Sequence, residues 1–431
     1  MRSNDTISTG KLDWVAVALY AAILFLGWLN IYAAAYDEQT NNSLLAVPDR
    51  LSALPSQMRQ FIFICLSLVI IAMIMIIDMR FFEAVAYVAY GVVVFLLVLM
   101  PFIGKEVGGN KNWLGIGSFG IQPSEFAKFA TALAVAKLIN SPGFRMDNFR
   151  NQLICFGLIG VPMVLILAQK DTGTALVFTS FVLVFFREGM SPFLLIVGLC
   201  AAAIFVLTLI IPDNRYLYGT IGVVLALLIA IGKKKIRRIL LLTTGAGLLC
   251  LVIWSVEFIV SDVLKPHQQN RVKALINPDA DPLGYGWNVT QSKIAIGSGG
   301  FAGKGFLKGT QTKFDFVPEQ STDFIFCTIG EEHGWLGSLV TIGLFVALLL
   351  RVLFLAERQK NRFSRVYGYA VVCILFFHFA VNIGMTIGLF PVIGIPLPFF
   401  SHGGSSLWAF TILLFILLKL DAHRSEVLQR I

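Results

Sequence analysis

The sequence predicts an all-α polytopic membrane protein, and three observations carry that prediction. Of 431 residues, 57% are hydrophobic and 14% charged, and the mean hydropathy is +0.79, whereas soluble domains carry charge on about a quarter of their residues. Apolar stretches near 20 residues, the length that crosses a bilayer, recur along the chain. Basic residues cluster in alternate connections, as cytoplasmic loops do.

The spans are expected at about 14–36, 59–77, 81–103, 123–140, 152–169, 172–187, 191–211, 217–232, 238–260, 324–350, 366–390 and 403–420. The stretch from Trp14 to Ala35 is too long for a signal-peptide core and has no small-residue cleavage site, so it reads as a retained first span. With the N-terminus inside, inner loops carry Arg80, Arg145, Arg150, Arg187, the Lys233–Arg238 run, Arg351 to Arg365, and Lys419 to Arg430. The short outer loops carry one or two basic residues each. Both termini are therefore expected in the cytoplasm, in a cytoplasmic (inner) membrane, and the net charge of +9 is an orientation signal rather than a nucleic-acid surface. All six cysteines lie in apolar stretches without a CxxC pair, which argues against disulfides and structural zinc. The chain reads as one integral membrane domain, 1–431. Its longest polar segment, about 261–322, is an external loop expected to pack on that domain, because sixty structureless residues would be unusual.

Ionisable groups inside spans are functional candidates by default. In IQPSEFAKF, Gln122 and Pro123 read as a helix start, and Glu125 and Lys128 share a face at i and i+3. That pair either makes a buried polar face tolerable or lines a polar cavity. Upstream, Lys111 and Trp113 sit in a glycine-rich outer loop, where Trp is either an interfacial anchor or a platform for a sugar ring. Asp171 reads as a cap on the next helix. The run PVIGIPLPFFSHGGSS is too irregular for a lipid-exposed helix and reads as a re-entrant, cavity-lining segment. In FVPEQSTDFIF, Ser321 or Thr322 would cap a helix starting near Asp323, while Gln320 and Thr322 flank the acid. One helix from Asp323 to Leu350 would be roughly 42 Å long, against ~30 Å of hydrocarbon. Its first turns, with Glu331, Glu332 and His333, would then need a wet cavity.

WLGIGSFGIQPSEFAK, QSKIAIGSGGFAGKGFLKGTQTKFDFVPEQSTDFIF, GEEHG and NIGMTIGLFPVIGIPLPFFSHGGSS resemble, in order and spacing, the signature segments of the SEDS family (shape, elongation, division and sporulation). The KGFLKGTQ and GIPLPF phrasing is closer to its elongation branch than to its division branch. The resemblance implies a SEDS-like bundle of ten core helices, so twelve spans leave an extra helical hairpin within 191–260. It implies a peptidoglycan glycosyltransferase that polymerises lipid II at the outer membrane face, working with a class B penicillin-binding protein and other elongation-complex membrane proteins. The family's essential acid falls on Asp323, its charged pair on Glu125 and Lys128, and its loop tryptophan on Trp113. The chain departs from the family pattern at Ser321, at Lys170 and Thr172 beside Asp171, and at His402, where tyrosine is usual.

Glycosidases need two carboxylates because an alcohol must be protonated as it leaves; undecaprenyl pyrophosphate leaves as a stable anion, so a general base is the main requirement. Asp323 is the expected base, and Lys111, Lys128, Arg271 or a divalent cation (Mg or Mn) the candidates for steadying the pyrophosphate. The N-terminal position on a helix would lower the Asp323 pKa and an apolar site would raise it. Alternative functions are a division-specific polymerase and, from another class, a flippase for the lipid-linked precursor.

Overall fold

The computed structural model describes residues 12–36, 54–107, 110–116, 119–192, 195–196, 198, 200, 203–204, 207–208, 211, 213–231, 235–258, 285–314, 316–390 and 392–424. Arg271 and all of 261–284 lie outside the described residues, as does much of the expected span 191–211. The described chain forms two compact units, one from residues up to Met190 together with Gln291 onward, the other Ser191–Thr290.

The first unit opens with α1 (Trp14–Ala34), α2 (Ser56–Ile76) and α3 (Met79–Ile103). A short antiparallel sheet follows, β1 (Lys105–Val107), β2 (Asn110–Ile116) and β3 (Phe119–Ile121), in the order β1-β2-β3. The expected irregular loop around Lys111 and Trp113 is thus a strand, and the bundle is not purely helical. Next come α4 (Pro123–Ile139), α5 (Phe149–Ala168), α6 (Thr172–Val177) and, after the 3₁₀ turn Phe178–Ser180, α7 (Phe181–Arg187). The second unit contains α8 (Arg215–Ile231) packed on α9 (Ile236–Phe258). The chain continues through α10 (Tyr285–Ser298), a helix in what reads as loop, α11 (Ile325–Glu332), α12 (Gly334–Glu357), α13 (Arg362–Thr386) and α14 (Gly404–Ala422).

Among the described residues, eight helices are long and apolar enough to cross a membrane: α1, α2, α3, α5, α9, α12, α13 and α14. The segments 172–187 and 215–231 are shorter apolar helices. Twelve spans were expected, with 172–187 and 217–232 short, but the 324–350 span is broken. Gly334 adopts φ +63, a left-handed conformation that glycine tolerates and a side chain resists, and the helix restarts there. The 42 Å helix therefore does not exist; α12 carries the membrane-length segment and α11 is a separate eight-residue helix.

Burial sorts these helices. In α14, 83% of the apolar window is buried inside the protein, in α13 61%, but in α2 only 17%. α4 is alanine-rich (FATALAVAK) and lies against α3, α5, α13 and α14. Small side chains let neighbouring backbones approach closely where lipid supplies no hydrophobic drive between helices. Polar ties supplement that packing: Tyr367 donates to the Leu413 carbonyl at 3.0 Å, Trp408 to Phe63 at 3.1 Å, and Asn30 of α1 to Ile325 of α11 at 3.0 Å.

One end of the unit is an ion-pair network. Asp13, whose side chain caps α1, meets Arg351 at 2.6 Å and Arg358 at 3.3 Å. Arg358 also pairs with buried Asp421 at the end of α14, while Glu188 takes Arg362 at 3.1 Å and Arg365 at 3.2 Å. These arginines are among those that signal the cytoplasmic side in the sequence, and here they neutralise carboxylates as well.

Candidate active site

Four segments meet around Asp323. The first is the start of α4, where Pro123 occupies the first helical turn as its fixed φ favours. The second is the α5–α6 junction, the third the turn 319–324, and the fourth the irregular stretch 392–403.

Asp171 is the polar hub of the second segment. Its Oδ1 accepts the Thr174 N–H at 3.1 Å, capping α6 as expected. Its Oδ2 accepts from Gln122 Nε2 at 2.9 Å, Asn112 Nδ2 at 3.2 Å and Ser124 Oγ at 3.4 Å. Strand alternation explains the part of β2: Asn112 points inward to Asp171, and its neighbour Lys111 is exposed. Trp113 is half-buried on the same strand. Lys111, Lys170, Glu106, Gln169, Pro101 and Ala168 line a cavity of about 130 Å³ beside this hub.

Glu125 and Lys128 are each 2% exposed. Lys128 Nζ donates to Glu125 Oε2 at 2.7 Å and lies 3.0 Å from His378 Nε2, with the Phe410 ring centroid 4.4 Å away. Of the two roles open to this pair, the geometry matches a buried ion pair; the ammonium is enclosed by protein partners.

Asp323 lies in the turn before α11, outside the membrane-spanning helices, and is half-buried. The helix starts later than expected, at Ile325, and neither Ser321 nor Thr322 caps it: its N-cap is Phe324, with no side-chain cap bond. Thr322 Oγ1 instead donates to Glu319 Oε2 at 2.9 Å, and Gln320, 6% exposed, donates to the Ala34 carbonyl at 3.0 Å. The Asp323 carboxyl is pushed up to about 7, by burial first and then by the negative charges of Glu319, Asp171 and Glu125. Asn382 donates to the carbonyls of Asp323 and Ile395, both at 2.8 Å. Ser401 Oγ donates to the Thr322 carbonyl at 2.6 Å, and the His402 N–H to Ser321 at 2.9 Å. Gly394, at φ +69, faces the acid so closely that an added Cβ would stand 3.2 Å from Asp323 Oδ2. The irregular backbone is packed within protein, where such backbone is tolerated.

Glu331 is met by protein donors rather than left open. It is fully buried and accepts from Lys304 Nζ at 2.6 Å, from the N–H groups of Thr310, Gln311 and Thr312 at 2.8, 2.9 and 3.0 Å, and from both threonine hydroxyls at 3.1 and 2.9 Å. The protein supplies donors where water was expected, and the carboxylate pins the KGFLKGTQT turn onto α11.

The structure thus gathers Asp323, Gln122, Glu125 and Lys128, with Lys111 and Trp113 on the adjoining strand, while Gln320 and Thr322 hold their own turn. Sequence reasoning missed His378, Asn382 and Gly394, and underrated Asp171. A histidine and an asparagine four residues apart inside an apolar span (HFAVN) were the available signal. Among the described residues no three His, Cys, Asp or Glu side chains converge as a metal set.

The profile of the FtsW/RodA/SpoVE family, described as "Cell cycle protein", matches residues 14–218 and 193–426. The chain belongs to the FtsW/RodA/SpoVE family. Its relatives include the peptidoglycan glycosyltransferase RodA of Treponema pallidum, 31% identical over 96% of this chain and 98% of that one, and the peptidoglycan glycosyltransferase MrdB of Escherichia coli K12, 35% identical over 84% of each. Among solved structures, one from work titled "Structural coordination of polymerization and crosslinking by a peptidoglycan synthase complex" superposes with a TM-score of 0.68 at 26% identity, covering 96% of this chain and 98% of that one. The Thermus thermophilus rod shape determining protein RodA, 24% identical, shares the fold at a TM-score of 0.59 over 96% and 97%. The FtsW/RodA/SpoVE assignment agrees with the sequence resemblance, and its RodA-named relatives agree with the elongation-like phrasing.

Proposed function

We propose that this chain is the glycan-strand polymerase of cell elongation, a peptidoglycan glycosyltransferase that joins lipid II units at the outer face of the cytoplasmic membrane. The glycosyltransferase names of its RodA and MrdB relatives support the activity. The observation that carries the mechanism is the half-buried Asp323 carboxyl, lifted to about 7 among Glu319, Asp171 and Glu125, since a general base works best with a pKa near the operating pH.

In the reaction, the acceptor sugar hydroxyl attacks the anomeric carbon of the donor. A new C–O bond forms as the bond to pyrophosphate breaks, and the electron pair leaves on the phosphate oxygen. Asp323 takes the hydroxyl proton and later releases it to water. The leaving group is already an anion, so no general acid is required; a cation suffices. Lys128 is committed to Glu125 and His378, so exposed Lys111 and Lys170, which line the cavity beside the Asp171 hub, are better placed to supply it. Trp113 offers the face on which a sugar can stack. Both termini then lie in the cytoplasm, and the partner is a class B penicillin-binding protein, whose transpeptidase cross-links the strands.

The test is glycan-strand length from labelled lipid II with the purified chain and its partner. Wild type should make strands and Asp323→Ala none. Precursor translocation without polymerisation by either protein would instead support a flippase.

A further inference from the structure

The polymerase reading leaves the fully buried, titratable side chain of His378 without a task. His378 lies in the middle of α13, 0% exposed, with each ring nitrogen on a different partner. Nε2 is 3.0 Å from Lys128 Nζ, and Nδ1 is 3.1 Å from the Pro396 carbonyl oxygen. The ring stands edge-on to Phe410 with centroids 4.8 Å apart, and Phe410 is also the ring under the Lys128 ammonium.

We infer that His378 is a positioning residue for polymerisation: it ties the buried Glu125–Lys128 pair to the carbonyl of Pro396 and so fixes the 393–397 turn against Asp323. The inference rests on the polymerase reading. An ammonium can only donate and a carbonyl can only accept, so Nε2 carries the lone pair and Nδ1 the hydrogen. A single tautomer therefore satisfies both neighbours, and the ring is held at both ends. Asn382, one helical turn further on α13 and on the same face, donates to Ile395 and to Asp323. Two successive carbonyls of the turn, 395 and 396, thus hang from one helix face. Gly394, next to these carbonyls in the chain, lies beside the acid, where an added Cβ would stand 3.2 Å from Asp323 Oδ2. The polar chain Glu125–Lys128–His378–Pro396 therefore sets where the wall of the Asp323 site stands. A leucine would fill the same core volume but hold neither end.

The test uses the full-length chain with its partner in nanodiscs, with lipid II as substrate. In His378→Phe the ring and its contact with Phe410 remain but both nitrogens are lost. The expected result is a fall in kcat of about tenfold or more with KM little changed, because misplacing a reacting group costs turnover rather than binding. The Gln amide presents an acceptor and a donor side by side, as the ring does, whereas Asn is too short to reach both partners. His378→Gln should therefore retain most of the turnover and His378→Asn should resemble the Phe variant. A loosened wall admits water to Asp323, so the acid limb of the kcat profile should move down by about half a pH unit in the Phe and Asn variants and stay in place in Gln.

Wild-type kcat in His378→Phe overturns the inference. So do Gln and Asn variants that are equally slow with an unmoved acid limb, which would mark a residue that serves stability alone. If His378→Phe does not fold, the Gln and Asn pair decides by itself. A wild-type chain that makes no strands overturns the polymerase reading, whereas wild-type polymerisation with indifferent variants overturns only the role of His378.

Discussion

Replacing Asp323 with Asn should abolish polymerisation and at the same time make the protein more stable at alkaline pH. The carboxyl ordinarily titrates at 3.8 and here rises to about 7, so the folded protein holds its proton more tightly than the unfolded chain does. A raised carboxylate pKa leaves folding unpenalised below pH 4. The penalty grows as pH climbs from about 4 to 7 and is complete above 7. A rise of roughly three pH units corresponds to ~4 kcal/mol at one per 1.36 kcal/mol. The side chain is only half-buried, so solvent screening reduces this to roughly 1–2 kcal/mol. An amide carries no charge to desolvate and is not repelled by Glu319, Asp171 or Glu125. Thermal unfolding in nanodiscs at pH 8.5 should place Asp323→Asn above wild type by roughly 2–4 °C, and at pH 5.5 the gain should be smaller, shrinking further as pH falls toward 4. Strand synthesis should be lost at both values. An Asn variant no more stable than wild type at pH 8.5 would refute the placement of this carboxylate in an electronegative, desolvated site.

Two further outcomes follow from the same geometry. In Gly394→Ala, φ +69 costs a side chain about 1–2 kcal/mol, and the new Cβ crowds Asp323 Oδ2 at 3.2 Å. Turnover at saturating lipid II should fall about tenfold or more, with a modest drop in melting temperature. Glu331→Ala strips the acceptor from Lys304 and from three backbone N–H groups, at a cost of about 3 kcal/mol or more. Hydrogen exchange should accelerate at Thr310, Gln311 and Thr312 first, with α13 amides still protected.

The membrane class and most span positions were legible in the sequence because they depend on composition over 20-residue windows, which any bilayer reads the same way. The Asp171 cap was legible for a similar reason, since a cap is a local bond between neighbours in the chain. Asp323 was singled out by motif, although its helix starts two residues later than its flanking polarity suggested.

What the sequence could not fix were matters decided by contacts between distant segments. A buried lysine at i+3 from a glutamate looks the same whether it faces a groove or a protein wall; His378, 250 positions away, decides that. Glu331 looked as though it needed water until Lys304 and the 310–312 turn came to it. The direction of the Asp323 shift likewise depends on burial first and then on three carboxylates from three segments. Composition and local bonding determined that this chain is a multi-span membrane protein with an acid at a helix approach. Only the tertiary structure placed that acid among like charges behind a glycine wall, because desolvation and Coulomb energy depend on distance in space, and sequence spacing reports distance only within a turn or two of helix.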